Sequence, residues 1–329
     1  MPKKVSGCAQ KPAVPCRNRR GPIFLSRTQT ASFAGRSGKP HAIIMTPGYP
    51  KMTTRADTLE LGPVQKTLLL PLWGRAIETG KARPLIVDRT AANILATLDY
   101  DFSTIARNIS PITRLAWIAR SLHTDRTIRA FLARYPDATI VNLGCGLDTT
   151  FERIDNGSLH WYDLDVPDVI ELRKRFIEES GRRQFIACSL LDDAWLPRVQ
   201  PAGAAFFIAS GVFYYCEECQ IKALFIRLAE ASPGSEVLFD ACSPRGLRMA
   251  NKKVIKAGGM DESAVLKWGI RQAAEMQSWD GRIAILEEYP LFRRFGRELS
   301  AKARWGMWMS DSLGIMSMVH LRLGNLPAS

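Results

Sequence analysis

Residues 139–165, TIVNLGCGLDTTFERIDNGSLHWYDLD, constrain the fold of this chain more than any other stretch. A β-branched apolar run from Thr139 to Leu143 ends in Gly144-Cys145-Gly146, and a second apolar run from Leu159 closes on Asp163 and Asp165. The order is strand, glycine turn, helix, strand, acid. Glycines at 144 and 146 let the backbone bend sharply and let a ligand approach it, because no Cβ stands in the way. Asp165 follows Gly146 by 19 residues, near the roughly 20-residue interval at which a carboxylate grips a ribose in nucleoside-binding α/β sheets. The stretch therefore predicts an adenosine site. Two blander readings stand beside it: the glycines could serve only a tight turn, and Asp165 could cap the next helix with Asp168 in the capping-box position. The nicotinamide fingerprint fails at its third glycine, where Thr149 stands, which weakens a dehydrogenase reading.

The rest of the chain supplies the elements such a site needs. From Thr53 to Pro136 the signals are helical, broken at Pro63, Pro71, Pro84 and Pro111, with Thr124 placed to cap a helix carrying Ile128, Phe131, Leu132 and Tyr135. After Asp165, Pro167 and Asp168 suit a helix start and Gly181 its end. Further strands are expected at Gln184–Cys188, Ala204–Ala209 and Glu236–Ala241, with a helix opened by Glu217 and Glu218 before the last of them. Residues 244–280 read as one or two helices interrupted at Gly258-Gly259. Ala284–Tyr289 and Met316–Leu323 read as strands around a helix from Leu291 to about Ser310. Alternating strands and helices with buried strands predict a parallel, doubly wound sheet, and the two closing strands could add an antiparallel edge.

Net charge separates the leader from the core. The chain carries +13, but residues 1–51 hold ten Lys or Arg and no Asp or Glu, leaving 35 basic against 32 acidic residues in 52–329. A nucleic-acid partner would place the excess on a face of the folded part, so none is expected. The first 51 residues read as a disordered basic extension, with Met45 or Met52 as an alternative start and a targeting role as a further reading. Residues 52–136 then form a helical N-terminal cap and 137–329 an α/β core. Seven scattered cysteines point to a reducing, cytoplasmic setting. No apolar run reaches the roughly 18 residues of a membrane span.

Several motifs together resemble the leucine carboxyl methyltransferase family, in its bacterial branch of small-molecule O-methyltransferases. They are VNLGCGLDTTFER at 141–153, WYDLDVPDVIELR at 161–173 and the lead-in FLARYPDATI at 131–140, with weaker matches around Arg120–Asp125, at SLLDDAWL (189–196) and at ASGVFYYC (209–216). The resemblance covers about Thr53 to Gly324. It implies a class I methyltransferase fold, a doubly wound, mostly parallel seven-stranded sheet preceded by a helical segment, with S-adenosylmethionine as methyl donor. It also implies cofactor contacts: Arg120 for the methionine carboxylate, Gly144, Cys145 and Gly146 for the turn, Asp165 for the ribose, Ser189 and Leu190 beside the adenine. Ser210 stands where many members carry Glu, and a serine offers no negative charge to the donor's ammonium.

The expected activity is in-line methyl transfer to the oxygen of a small carboxylate or phenol. A nicotinamide-dependent oxidoreductase and a non-catalytic protein retaining the fold are the alternatives. No catalytic residue can be chosen, since the histidines at 41, 123, 160 and 320 form no spaced motif. Cys216-Glu217-Glu218-Cys219 is a single CxxC, short of the four ligands a structural zinc wants, so no metal is expected. Tyr214 and Tyr215 could offer an aromatic face to a sulfonium, although at least one of the pair should pack in the core. Trp305 and Trp308, at i and i+3, suit core packing better than an acceptor pocket. Oligomeric state is not legible.

Overall fold

Period-two alternation in the buried strands divides the interior into two layers. The protein is represented by a computed structural model that describes residues 63–324 except 99, 202, 253–264, 294 and 297. The basic extension at 1–51 and the Gly258-Gly259 break lie outside the described residues.

Among the described residues, four helices come first: α1 (Pro63–Thr79), α2 (Arg89–Thr97), α3 (Ser103–Asn108) and α4 (Pro111–Leu132). The alternating core follows as β1 (Thr139–Leu143), α5 (Thr150–Ile154), β2 (His160–Asp165), α6 (Pro167–Arg173), β3 (Arg183–Ala187), β4 (Ala205–Ala209), α7 (Glu218–Ala231) and β5 (Glu236–Cys242). Then come α8 (Pro244–Ala250), α9 (Ala274–Gln277), β6 (Ile283–Pro290), α10 (Ala301–Ser312) and β7 (Met316–Leu323).

The seven strands form one sheet in the order β3-β2-β1-β4-β5-β7-β6. All neighbours are parallel except β7, which runs antiparallel to both β5 and β6. This is the mostly parallel arrangement that the resemblance implies. Val141, Leu143, Phe207, Val237 and Phe239 point to one face, where α7 packs. Ile140, Trp161, Phe206, Ile208 and Leu238 point to the other, against α4 and Met307 of α10.

Three local expectations need correction. Thr124 does not begin a helix: α4 starts at Pro111 with the Ser110 side chain capping Thr113 N–H, and Thr124 lies buried inside it. Proline at the first position sacrifices an N–H with no intrahelical partner, so Pro111 opens the helix rather than breaking it. Pro71 lies within α1, where Leu69, Leu70, Leu72 and Trp73 are buried around it and packing offsets the missing hydrogen bond. Trp305 and Trp308 are not core: they are 62% and 64% exposed, because α10 turns Met307 inward instead.

A buried charge centre joins the sheet to its helices. Asp163 on β2 is inaccessible and accepts bonds from Arg173 Nη2 (2.9 Å), Arg183 Nε (2.9 Å), Trp161 Nε1 (2.9 Å) and Asn142 Nδ2 (3.2 Å). Burial works against the Arg173 charge, but Asp163, with Glu152 and Asp148 adding to it, holds the guanidinium pKa above its ordinary value. A second centre ties the N-terminal helices to α5. Asp88, the N-cap of α2, receives Arg75 Nε (2.8 Å), Arg153 Nη1 (2.7 Å) and Thr149 Oγ1 (2.5 Å), while Arg153 also grips Asp125 on α4 with two 2.8 Å bonds.

Removing one partner from a buried ion pair strands the other, typically at a cost of about 3–5 kcal/mol. Asp163→Ala is expected to destabilise the fold by that order, read as a lowered urea midpoint. An unchanged midpoint would contradict this role.

Candidate cofactor site

In a parallel sheet the open crevice lies beyond the carboxyl ends of the strands, where the chain reverses direction between β1 and β4. Gly144 and Gly146 occupy the turn after β1 with φ of 66° and 49°, a region that penalises any Cβ. Neighbours also crowd both glycines. A Cβ on Gly144 would lie 2.7 Å from Val212 Cγ2, and one on Gly146 would lie 2.9 Å from Leu68 Cδ2. The turn is fixed from beneath: Gly144 N–H and Cys145 N–H both donate to Leu164 O, and Arg173 Nη1 donates to Gly146 O at 2.8 Å. Cys145 is buried with Leu69, Leu72 and Leu147, and burial pushes its thiol pKa well up. It serves packing rather than nucleophilic chemistry.

Asp165, at the end of β2, is joined directly to this turn. Its Oδ2 accepts Gly146 N–H at 2.8 Å and its Oδ1 accepts Val166 N–H at 2.8 Å. Each carboxylate oxygen retains a further lone pair for an incoming hydroxyl. Burial raises the carboxyl pKa to about 6 against the pull of those two N–H groups. The capping alternative does not hold, because the N-cap of α6 is Val166, without a side-chain cap bond.

Ser189 and Leu190 follow β3 beside this acid, where Cys188 N–H donates to Asp165 O. Ser189 Oγ accepts Leu191 N–H at 3.2 Å, and Leu190 packs partly against the core. Arg120 lies on α4 over the loop that follows β4. Its Nη1 donates to Asp240 Oδ2 at 2.8 Å, and its guanidinium rests against Gly211, where a Cβ would meet Nη1 at 2.7 Å. Ser210 Oγ is 3.5 Å from Thr124 Oγ1 on the same helix.

All eight expected residues thus lie at the strand ends or on the helix crossing them. They form two groups, Gly144-Gly146-Asp165-Ser189 and Arg120-Ser210, which meet through Val212 against Gly144. Asp240 and Tyr214 complete the second group, and motif reasoning missed Asp240. The available signal was an acid within the apolar run of residues 237–242. Tyr214 is buried and donates its hydroxyl to Asp240. Tyr215 is half-buried, with its hydroxyl hydrogen-bonded to Thr67 on α1.

A groove of about 380 Å³ lies elsewhere, between the start of α2, α4 and α5. Its Asp88 and Asp125 are already paired with Arg153. Among the described residues, no three or more His, Cys, Asp or Glu are grouped to hold a metal ion, and no helix is long and apolar enough to cross a membrane.

The model of the family described as leucine carboxyl methyltransferase matches residues 69–229. The tetracenomycin polyketide synthesis O-methyltransferase TcmP of Streptomyces glaucescens is 35% identical over 224 residues, covering 68% of this chain and 81% of TcmP. The chain belongs to the leucine carboxyl methyltransferase family. The S-adenosyl-L-methionine-dependent methyltransferase dpfgK of Gibberella zeae is 29% identical over 212 residues, 56% of this chain and 70% of dpfgK. Among solved structures, a duf574 family protein of Streptomyces avermitilis superposes with a TM-score of 0.50 at 13% identity, over 76% of this chain and 97% of that one. This member of the family is an S-adenosylmethionine-dependent O-methyltransferase. The nicotinamide and non-catalytic alternatives fall with that assignment.

Gly144→Ala adds a steric clash to an unfavourable φ and is expected to cost about 1–3 kcal/mol in urea unfolding. Val212→Ala in the same chain should recover the clash but leave the roughly 1–2 kcal/mol of a left-handed non-glycine residue. Full recovery would show that only space matters at the turn.

Proposed function

We propose that this methyltransferase acts on a small polyketide-like acceptor that presents an ionised oxygen, in the first place a carboxylate. The observation that carries the choice of oxygen is where the described histidines lie. His160 opens β2 at the opposite end of the sheet, and His320 pairs with Glu236 at the start of β5 (2.8 Å). His123 is buried, hydrogen-bonded to Leu291 O and Arg126, and its pKa is lowered to about 4 by burial. No histidine among them is placed as a base at the strand ends. A carboxylate is ionised at neutral pH and requires none, whereas a phenol benefits from one. The polyketide character is supported by the resemblance to TcmP, whose name states that class.

The residues at the strand ends fit the donor. Asp165 has lone pairs for the ribose hydroxyls, and Arg120 is a buried guanidinium fork suited to a carboxylate. Gly144 and Gly146 put no Cβ at two points of the turn, where a ligand can approach the backbone. Ser189 and Leu190 line the adenine side, and Cys145 backs the turn. Ser210 contributes a hydroxyl but no charge. S-adenosylmethionine supplies an electrophilic methyl on sulfur and leaves as a neutral thioether. The protein's task is therefore orientation, close approach and exclusion of water. Tyr214 and Tyr215 follow β4, and an aromatic face there would favour a sulfonium.

Transfer of labelled methyl to a panel of aromatic carboxylates and phenols tests the acceptor. Carboxyl esters are expected, and transfer to phenols alone would overturn the choice. Donor binding should also follow pH through Asp165. Its ionised form accepts the ribose hydroxyls, so affinity should hold above about pH 6 and fall by up to about tenfold per unit below it. Asp165→Ala should weaken donor binding by at least about tenfold and remove this dependence, read by calorimetry. Retention of the same acid limb in that variant would assign it to another group.

A further inference from the structure

We propose that Asp240 is a positioning residue for donor recognition, holding the Arg120 guanidinium in the orientation that presents it to the donor's carboxylate. The inference rests on the reading of Arg120 as the contact for that carboxylate.

Every residue of β5 is buried, and Asp240 is 1% exposed. Phe239 pairs with Ala209 across β4, which sets Asp240 beside Ser210 and the loop leaving β4. An ionised carboxylate in such a place is costly unless its lone pairs are used. Three donors converge on it: Arg120 Nη1 at 2.8 Å, Gly211 N–H at 2.7 Å and the Tyr214 hydroxyl. They come from α4 and from two points of the loop after β4. One side chain therefore sets the relation between the arginine and that loop.

The geometry restrains the guanidinium on two sides. Asp240 takes Nη1 at its edge. Gly211, at φ 76°, lets the group lie against the backbone, where a Cβ would sit 2.7 Å from Nη1 and 3.2 Å from both Cζ and Nη2. Arginine carries five N–H donors in a rigid fork, so one bond to Asp240 leaves others for a ligand. Fixing the fork before binding lowers the entropy lost when the ligand engages it. Packing alone does not require this arrangement, since well-packed apolar residues replace buried ion pairs at little or no cost in stability. What an apolar pair could not do is orient a cation. Asp240 would also leave Arg120 between two carboxylates once the donor binds, with Asp148 a third acid interacting with it electrostatically.

Calorimetry on the full chain with two ligands tests the assignment. S-adenosylhomocysteine carries the amino-acid moiety; 5′-methylthioadenosine lacks its carboxylate and ammonium. Asp240→Asn should weaken S-adenosylhomocysteine by at least about tenfold and leave 5′-methylthioadenosine within about twofold. Arg120→Ala should show the same selectivity, and the double variant should bind no worse than Arg120→Ala, since Asp240 acts through the arginine. Tyr214→Phe removes one donor while keeping the charge pair; a selective loss of about threefold is expected, and this variant decides the matter if Asp240→Asn does not fold. In turnover, these variants should raise the donor KM with little change in kcat at saturation. Equal loss for both ligands, no loss for either, or additive effects of Asp240→Asn and Arg120→Ala would overturn the proposal. Failure of the unmodified protein to bind either ligand would instead overturn the donor-site reading on which it rests.

Discussion

The ion pair between Asp163 and Arg173 is the contact on which the site depends. Arg173 reaches from the last turn of α6 with one terminal nitrogen on Asp163 and the other on the carbonyl of Gly146. A single buried side chain thus joins the sheet, a helix and the glycine turn. The neutralised charge lies directly below the glycine turn. Asp165, two residues beyond Asp163, emerges at the end of the same strand and binds Gly146 N–H. Turn and acid are consequently placed relative to one another by β2 itself.

A second level of organisation comes from the helices that precede the sheet. Asp88 gathers Arg75, Arg153 and Thr149, and Arg153 extends the network to Asp125, so α1, α2, α4 and α5 share buried charges. These contacts bring α1 over the glycine turn, where Leu68 fills the space beside Gly146. They also set α4 across the sheet so that Arg120 reaches the loop after β4. Buried charge networks contribute little net stability compared with apolar packing, but each member penalises any arrangement that leaves it unpaired. That penalty suits a site whose parts come from distant stretches of chain.

The C-terminal third closes the site from the β5 side. The main-chain N–H groups of Lys267 and Trp268 both donate to Tyr214 O, and Ile270 N–H donates to Cys242 O. Trp268 joins Phe213, Phe239 and Trp279 in an aromatic cluster below the same loop. Residues 267–270 therefore buttress the loop carrying Ser210, Gly211 and Tyr214. The exposed Trp305 and Trp308 take no part in this packing.

The local pattern of 139–165 sufficed to determine the strand, glycine turn, strand and acid, because these are set by backbone geometry and by spacing along one short stretch. Buried alternation likewise made the parallel strands legible, and the paired closing strands made the antiparallel edge legible. Helix boundaries were less so: Pro71 and Thr124 carry local signals that packing of α1 and α4 overrides. Trp305 and Trp308 have the spacing of a buried stripe, yet burial depends on which face α10 turns inward, a property of neighbours rather than of periodicity. Asp240 was hidden for a related reason. Its sequence neighbours are all apolar, and its meaning comes only from Arg120, 120 residues earlier, and from the loop 26 to 29 residues before it. A carboxylate's role is set by the donors that reach it, and in a parallel sheet those donors arrive from separate crossovers that only the tertiary structure brings together.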